Sequence, residues 1–137
     1  MEIRQLEKNL AMESARIGKK VIGRGPTECR VRIIDSMIVI RCRLEMTQLE
    51  KLMYKHLEIS NVTHAMIEDY KKILLPMISV TLASIHSDLE VTDSYLKLNT
   101  EGGFSVFILN MNMDIEKLIA QERVTGSKSV TRKIAIN

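Results

Sequence analysis

The chain has 137 residues, a formal net charge of +3, 45 % apolar residues and 27 % charged residues. That length supports one domain with a hydrophobic core, and the apolar-to-charged balance excludes wholesale disorder. A surplus of +3 is too small to signal nucleic acid by itself, and no apolar run approaches the roughly 20 residues that span a bilayer.

The N-terminus, Met1-Glu2-Ile3-Arg4, mixes charge and lacks a continuous apolar core, so it does not read as a signal peptide and a cytoplasmic location is expected. Residues 2–22 then read as an amphipathic helix, with Ile3, Leu6, Leu10, Ile17 and Val21 on one side. Gly23 and Gly25 stop it, and Pro26 disfavours helical geometry at Gly25. Two β-branched runs follow, Glu28–Ile34 and Met37–Arg43, separated by Asp35-Ser36. They read as a hairpin, although Asp-Ser is a weak turn pair if both central residues need positive φ. In the register that this turn sets, Cys29, Val31, Ile33, Ile38, Ile40 and Cys42 share one face. Arg30, Arg32, Arg41 and Arg43 share the other, and a slip of one residue would scramble the division.

Thr47-Gln48-Leu49-Glu50 is a capping box that starts a short helix running to about Ile59. After a break at Ser60–Thr63, a longer helix runs to about His86, with Pro76 inside it. Asp88–Leu98 and Phe104–Met111 read as a second hairpin around Asn99–Gly103, and the last strand is apolar on both alternating sets. Such a strand is expected to be covered on both sides, by helices or by a partner subunit, so a homodimer is an open expectation. Met113–Gln121 reads as a closing helix capped by Asn112 or Asp114. The whole pattern predicts a single α+β domain over residues 1–121, ordered α-β-β-α-α-β-β-α, with a four-stranded antiparallel sheet and helices on one face. Residues 122–137 are basic and read as a loose tail. Aromatic residues are few, and the nine methionines read chiefly as core filler.

The run Gly23-Arg24-Gly25-Pro26-Thr27-Glu28, the strand pair around Asp35-Ser36-Met37-Ile38-Val39, and Met46-Thr47-Gln48-Leu49-Glu50 together resemble the MpsC-like family. Leu74-Leu75-Pro76 and Gly102-Gly103-Phe104 extend the resemblance, which covers roughly residues 5–111. The chain departs from the family pattern at Met66-Ile67-Glu68 and at His86-Ser87, where members often carry an arginine and a glycine. These small bacterial domains are named for a sodium-translocating, membrane-potential-generating system in which such a domain is encoded beside membrane subunits. The resemblance implies an accessory role near an ion-transport system, and it supplies no catalytic residue.

Among candidate sites, Arg24 and its glycines can offer amides to a phosphate. They follow a helix end, however, where the dipole is negative, so a C-cap and chain reversal is the better reading. Arg30, Arg32, Arg41 and Arg43, with Arg24, are the partner-binding candidates, for an acidic protein or a membrane-system subunit. Nucleic acid is a weaker alternative, because no aromatics interleave with these arginines in sequence. Cys29 and Cys42 face each other but read as two reduced thiols. His56, His64 and His86 lack metal-ligand spacing, and Asp88, Glu90 and Asp93 read as strand residues rather than an acid–base pair. A small-ligand pocket near Tyr70 and Pro76 ranks last. The expectation is a non-enzymatic module without cofactor or metal, acting through protein contacts.

Overall fold

The structure, a computed structural model, describes residues 2–22, 28–45, 47–57, 61–99 and 102–121. The elements run α1 (Ile3–Ile22), β1 (Glu28–Ile34), β2 (Met37–Arg43), α2 (Gln48–Leu57), α3 (Asn61–Ala83), β3 (Val91–Asn99) and β4 (Phe104–Met111). A closing helical segment, α4, covers residues 115–121. The four strands form one antiparallel sheet in the order β1-β2-β4-β3. The expected α+β domain is what forms.

The β1–β2 register pairs Cys29 with Cys42, Val31 with Ile40 and Ile33 with Ile38, as the alternation of apolar and basic residues dictates. β4 then adds Ser105, Phe107, Leu109 and Met111 to the same face. Helix α1 lays Leu6, Leu10 and Ile17 against it, α3 adds Leu74, Ile78 and Leu82 four residues apart, and α4 adds Ile115 and Ile119. Apart from the half-buried Cys29, Cys42 and Ser105 these residues are buried, so the apolar face of the sheet and the helices above it are one core. The opposite face of the sheet meets none of these helices' core residues.

Three details differ from the sequence reading. The first turn needs positive φ only at Asp35 (φ 55), which suits the II′ class rather than I′. Its backbone is also tied down, since the Asp35 carbonyl accepts the Ile115 amide and the Ser36 carbonyl accepts the Met111 amide. The long helix ends at Ala83, and the strand expected from Asp88 begins only at Val91. Asn112 causes the delay by donating its side-chain amide to the Asp88 carbonyl and accepting the Glu90 amide, both at 2.8 Å. Those bonds hold residues 88–90 out of the strand. Of the two proposed caps for α4, Asp114 is the one, accepting the Lys117 amide at 2.9 Å.

Gly103 sits at φ 68 where the Leu44 amide donates to its carbonyl. A Cβ there would adopt a disfavoured backbone and lie 3.1 Å from the Leu44 carbonyl oxygen. This contact and the Met111–Ser36 bond fix the backbone polarity. Even-numbered residues of β2 turn their amides and carbonyls toward β4, and odd-numbered ones toward β1. Carried across β4, the same alternation turns Asp93, Tyr95, Lys97 and Asn99 inward. It leaves the backbone of Ser94, Leu96 and Leu98 pointing out of the sheet.

Candidate functional site

Because burial pins one set of alternating residues to the core, the other set must face outward. Across that outer face run four cross-strand rows. Glu28, Arg43, Phe104 and Asn99 form the first, and Arg30, Arg41, Val106 and Lys97 the second. Arg32, Val39, Ile108 and Tyr95 form the third, and Ile34, Met37, Asn110 and Asp93 the last. The face therefore has an apolar middle on β2 and β4. Five cations stand around it, Arg30, Arg32, Arg41, Arg43 and Lys97, against two carboxylates, Glu28 and Asp93. Ile34 at 51 % and Tyr95 at 55 % are exposed at its margins, and Val39, Val106 and Ile108 between them are half-buried.

Arg30 and Arg41 stand directly opposite each other, which would repel if both side chains stood upright. They diverge instead. Arg30 bonds Glu28 along its own strand at 2.6 Å, and Arg41 lies over the Phe104 ring at 4.6 Å from its centroid. The hydrogen bond from Arg30 holds the Glu28 carboxyl below its usual range, with the Arg30, Arg43 and Arg41 charges adding to the effect. Arg32 leans round the sheet edge toward Glu7 at 3.8 Å. The Arg30 and Arg41 pairings are solvent-exposed and the Arg32 guanidinium is exposed too, so each contact has a small net value that a better-placed anion can replace.

Glu7 lies on α1 yet is buried, at 9 % exposure, because its carboxylate accepts the Ile33 amide at 2.9 Å. That amide belongs to the outward edge of β1, so Glu7 caps an edge that would otherwise offer an open ladder. On the core face, Cys29 and Cys42 are free thiols, both half-buried. The hydrogen bond from Cys42 lowers the Cys29 thiol and raises Cys42, which burial raises further. Burial, with the two thiols nearby, pushes Tyr70 up to about 12.

The four hairpin arginines named from sequence thus share one face, whereas Arg24 lies outside the described residues, as does the tail 122–137. Sequence reasoning missed Phe104, Tyr95 and Lys97, and it judged the arginines to lack aromatic neighbours. The β2–β4 pairing corrects this by bringing Phe104 against Arg43 and Arg41. The one signal available was the alternation within Phe104–Leu109, whose second apolar set had no helix to cover it. His86 accepts the Asp88 amide through Nδ1 in the turn, and His56 is exposed on α2. Among the described residues no cluster of three His, Cys, Asp or Glu gathers as a metal site would. A groove of about 670 Å³ does open beside α3. It is lined by Lys71, Leu75, Ser79 and Ala83 and by β3, rather than by Tyr70 and Pro76.

A sheet clothed by helices on one side, with a cation-rimmed apolar face on the other, is the build of a small α+β domain that presents a sheet surface. Residues 2–113 match the family described as "Na+-translocating membrane potential-generating system (MpsC)", and the chain belongs to that family. No match is found among curated proteins or among solved structures. Among the described residues no helix is long and apolar enough to cross a membrane.

Proposed function

We propose that this chain is a non-enzymatic accessory module of a sodium-linked membrane-potential system, binding an acidic protein partner on the outer face of its sheet. The observation that carries the reading is the composition of that face. Val39, Val106 and Ile108 supply an apolar centre that Arg41 adjoins, and Arg30, Arg32, Arg43 and Lys97 supply the rim. Apolar centre with polar rim is the anatomy of protein interfaces, and arginine is enriched in them. The charge excess selects a partner with surplus Asp and Glu, and it disfavours two copies meeting face to face, since arginine would meet arginine. The family name supplies the setting, and the cytoplasmic side of the membrane is where the partner would be met.

The test is quantitative affinity capture with the Arg30/Arg32/Arg41/Arg43→Ala variant beside the wild type. Arg4, Lys8, Lys19 and Lys20→Ala on α1 serve as a charge-matched control. Loss of one identified acidic partner from the sheet variant alone supports the proposal, and equal capture by all three proteins refutes it. A second reading rests on Tyr95 and Phe104, because aromatics and cations on a sheet face also stack single-stranded nucleic acid. It requires anisotropy binding to an oligonucleotide that weakens steeply with salt and is lost on Tyr95→Ala.

A further inference from the structure

We infer that two copies of this chain associate through the outer edge of β3, antiparallel about Tyr95, so that one sheet runs across both subunits. The sheet has two edges, β1 and β3. The β1 edge is closed by α1, whose Glu7 takes the Ile33 amide while Arg32 folds back over it. At the β3 edge, Ser94, Leu96 and Leu98 turn their amides and carbonyls outward. No further strand pairs there among the described residues. An open ladder of this kind is a template for another strand.

The occupant follows from the residues of β3 themselves. The ladder bonds only through even-numbered residues, which restricts the register of a second β3. When the two-fold axis passes at Tyr95, Ser94 bonds the backbone of the partner's Leu96 and Leu96 that of the partner's Ser94. In the same register Asp93 stands opposite the partner's Lys97, and Lys97 opposite the partner's Asp93, while the two tyrosines pair at the axis. These odd-numbered pairs are the non-hydrogen-bonded kind, whose side chains lie closest, so both opposite-charge contacts fall where they count most. The sequence Asp93-Ser94-Tyr95-Leu96-Lys97 is thus complementary to itself when reversed.

The groove under this edge fits the same occupant. Its volume is about 670 Å³, and Leu75, Ser79, Ala83, Leu89 and Val91 line it beneath β3. The core-facing side chains of an added strand, the leucines of the second β3, would drop into that space. Ile73 and Val80, on the same helix, are exposed at 47 % and 74 %. The pairing leaves both outer faces on one side of the joined sheet. It is independent of the proposed function, although it would make that face bivalent.

Sedimentation equilibrium of the full chain tests the contact. The wild type is expected to be a dimer, and Asp93→Lys and Lys97→Asp are each expected to raise the dissociation constant about tenfold or more, since each puts like charges opposite twice. An equimolar mixture of the two variants is expected to form the heterodimer, in which every pair is again opposite in charge. In a Cys29→Ser/Cys42→Ser background, Tyr95→Cys should cross-link to its own copy on mild oxidation and Lys97→Cys should not. A wild-type monomer throughout the range overturns the inference. So does a dimer indifferent to both reversals, a mixture that stays monomeric, or equal cross-linking at both positions. A monomer that binds an extended peptide in the groove would also overturn it.

Discussion

Replacing Glu7 with alanine should destabilise the fold by about 1.5–2.5 kcal/mol, the range for losing a hydrogen bond to an ionised acceptor. In the folded chain the carboxylate takes the Ile33 amide at 2.9 Å from a position that is 9 % exposed. Alanine leaves that donor without its acceptor beside α1. The 3.8 Å contact with Arg32 adds little, because the Arg32 side chain is 73 % exposed and water screens the pair. Relief of the desolvation of a buried carboxylate works the other way and holds the loss below the top of the hydrogen-bond range. For a domain of this size the loss corresponds to a fall in Tm of about 5–10 °C. Glu7→Gln keeps an oxygen acceptor without the charge and should cost about 1 kcal/mol. Urea denaturation followed by circular dichroism reads both, and Glu7→Ala/Arg32→Ala completes a double-mutant cycle whose coupling should stay under about 0.5 kcal/mol. If Glu7→Ala shifts stability by less than about 0.5 kcal/mol, the surface-substitution range, the carboxylate does not hold the β1 edge and the reasoning fails.

The two faces of the hairpin should respond differently to truncation. Ile38→Ala, at 0 % exposure, should lose about 2–4 kcal/mol, whereas Ile34→Ala, at 51 %, should stay within about 0.5 kcal/mol of wild type, both by denaturation. At neutral pH Cys29 should alkylate before Cys42, and Cys42→Ala should slow it by removing the bond that lowers its thiol; peptide mapping after iodoacetamide decides. Tyr70 has a folded-state pKa raised to about 12 from the ordinary 10.0, so its contribution is intact below pH 10 and is lost as pH rises toward 12. Wild type should therefore lose stability relative to Tyr70→Phe, which cannot ionise, as pH rises from 10 toward 12, and denaturation midpoints at stepped pH would show it.

The first hairpin was legible to the residue because its two alternating sets differ in kind, guanidinium against aliphatic, and because a two-residue turn allows one register. The helices were legible from their spacing, since Leu6, Leu10 and Ile17 can only share a face if the segment is helical. The start of β3 was not legible, because Asn112, far along the chain, holds residues 88–90 out of the strand through two side-chain bonds. Half of the outer face was hidden for a related reason. Phe104, Val106, Ile108, Tyr95 and Lys97 reach the arginines only through the β2–β4 pairing, and local alternation says nothing about which hairpins lie side by side. The buried role of Glu7 was hidden as well, since on a helical wheel it looks like one more solvated acid.

The claim on which the functional account rests is that the outer face is open in the free chain and covered in the complex. Hydroxyl-radical footprinting, read residue by residue with and without the captured acidic partner, measures this directly. The account predicts strong labelling of Ile34, Met37 and Phe104 in the free chain and their protection in the complex, with α1 unchanged. Labelling of those three that the partner leaves untouched, with protection appearing on α1 or α3 instead, would contradict it.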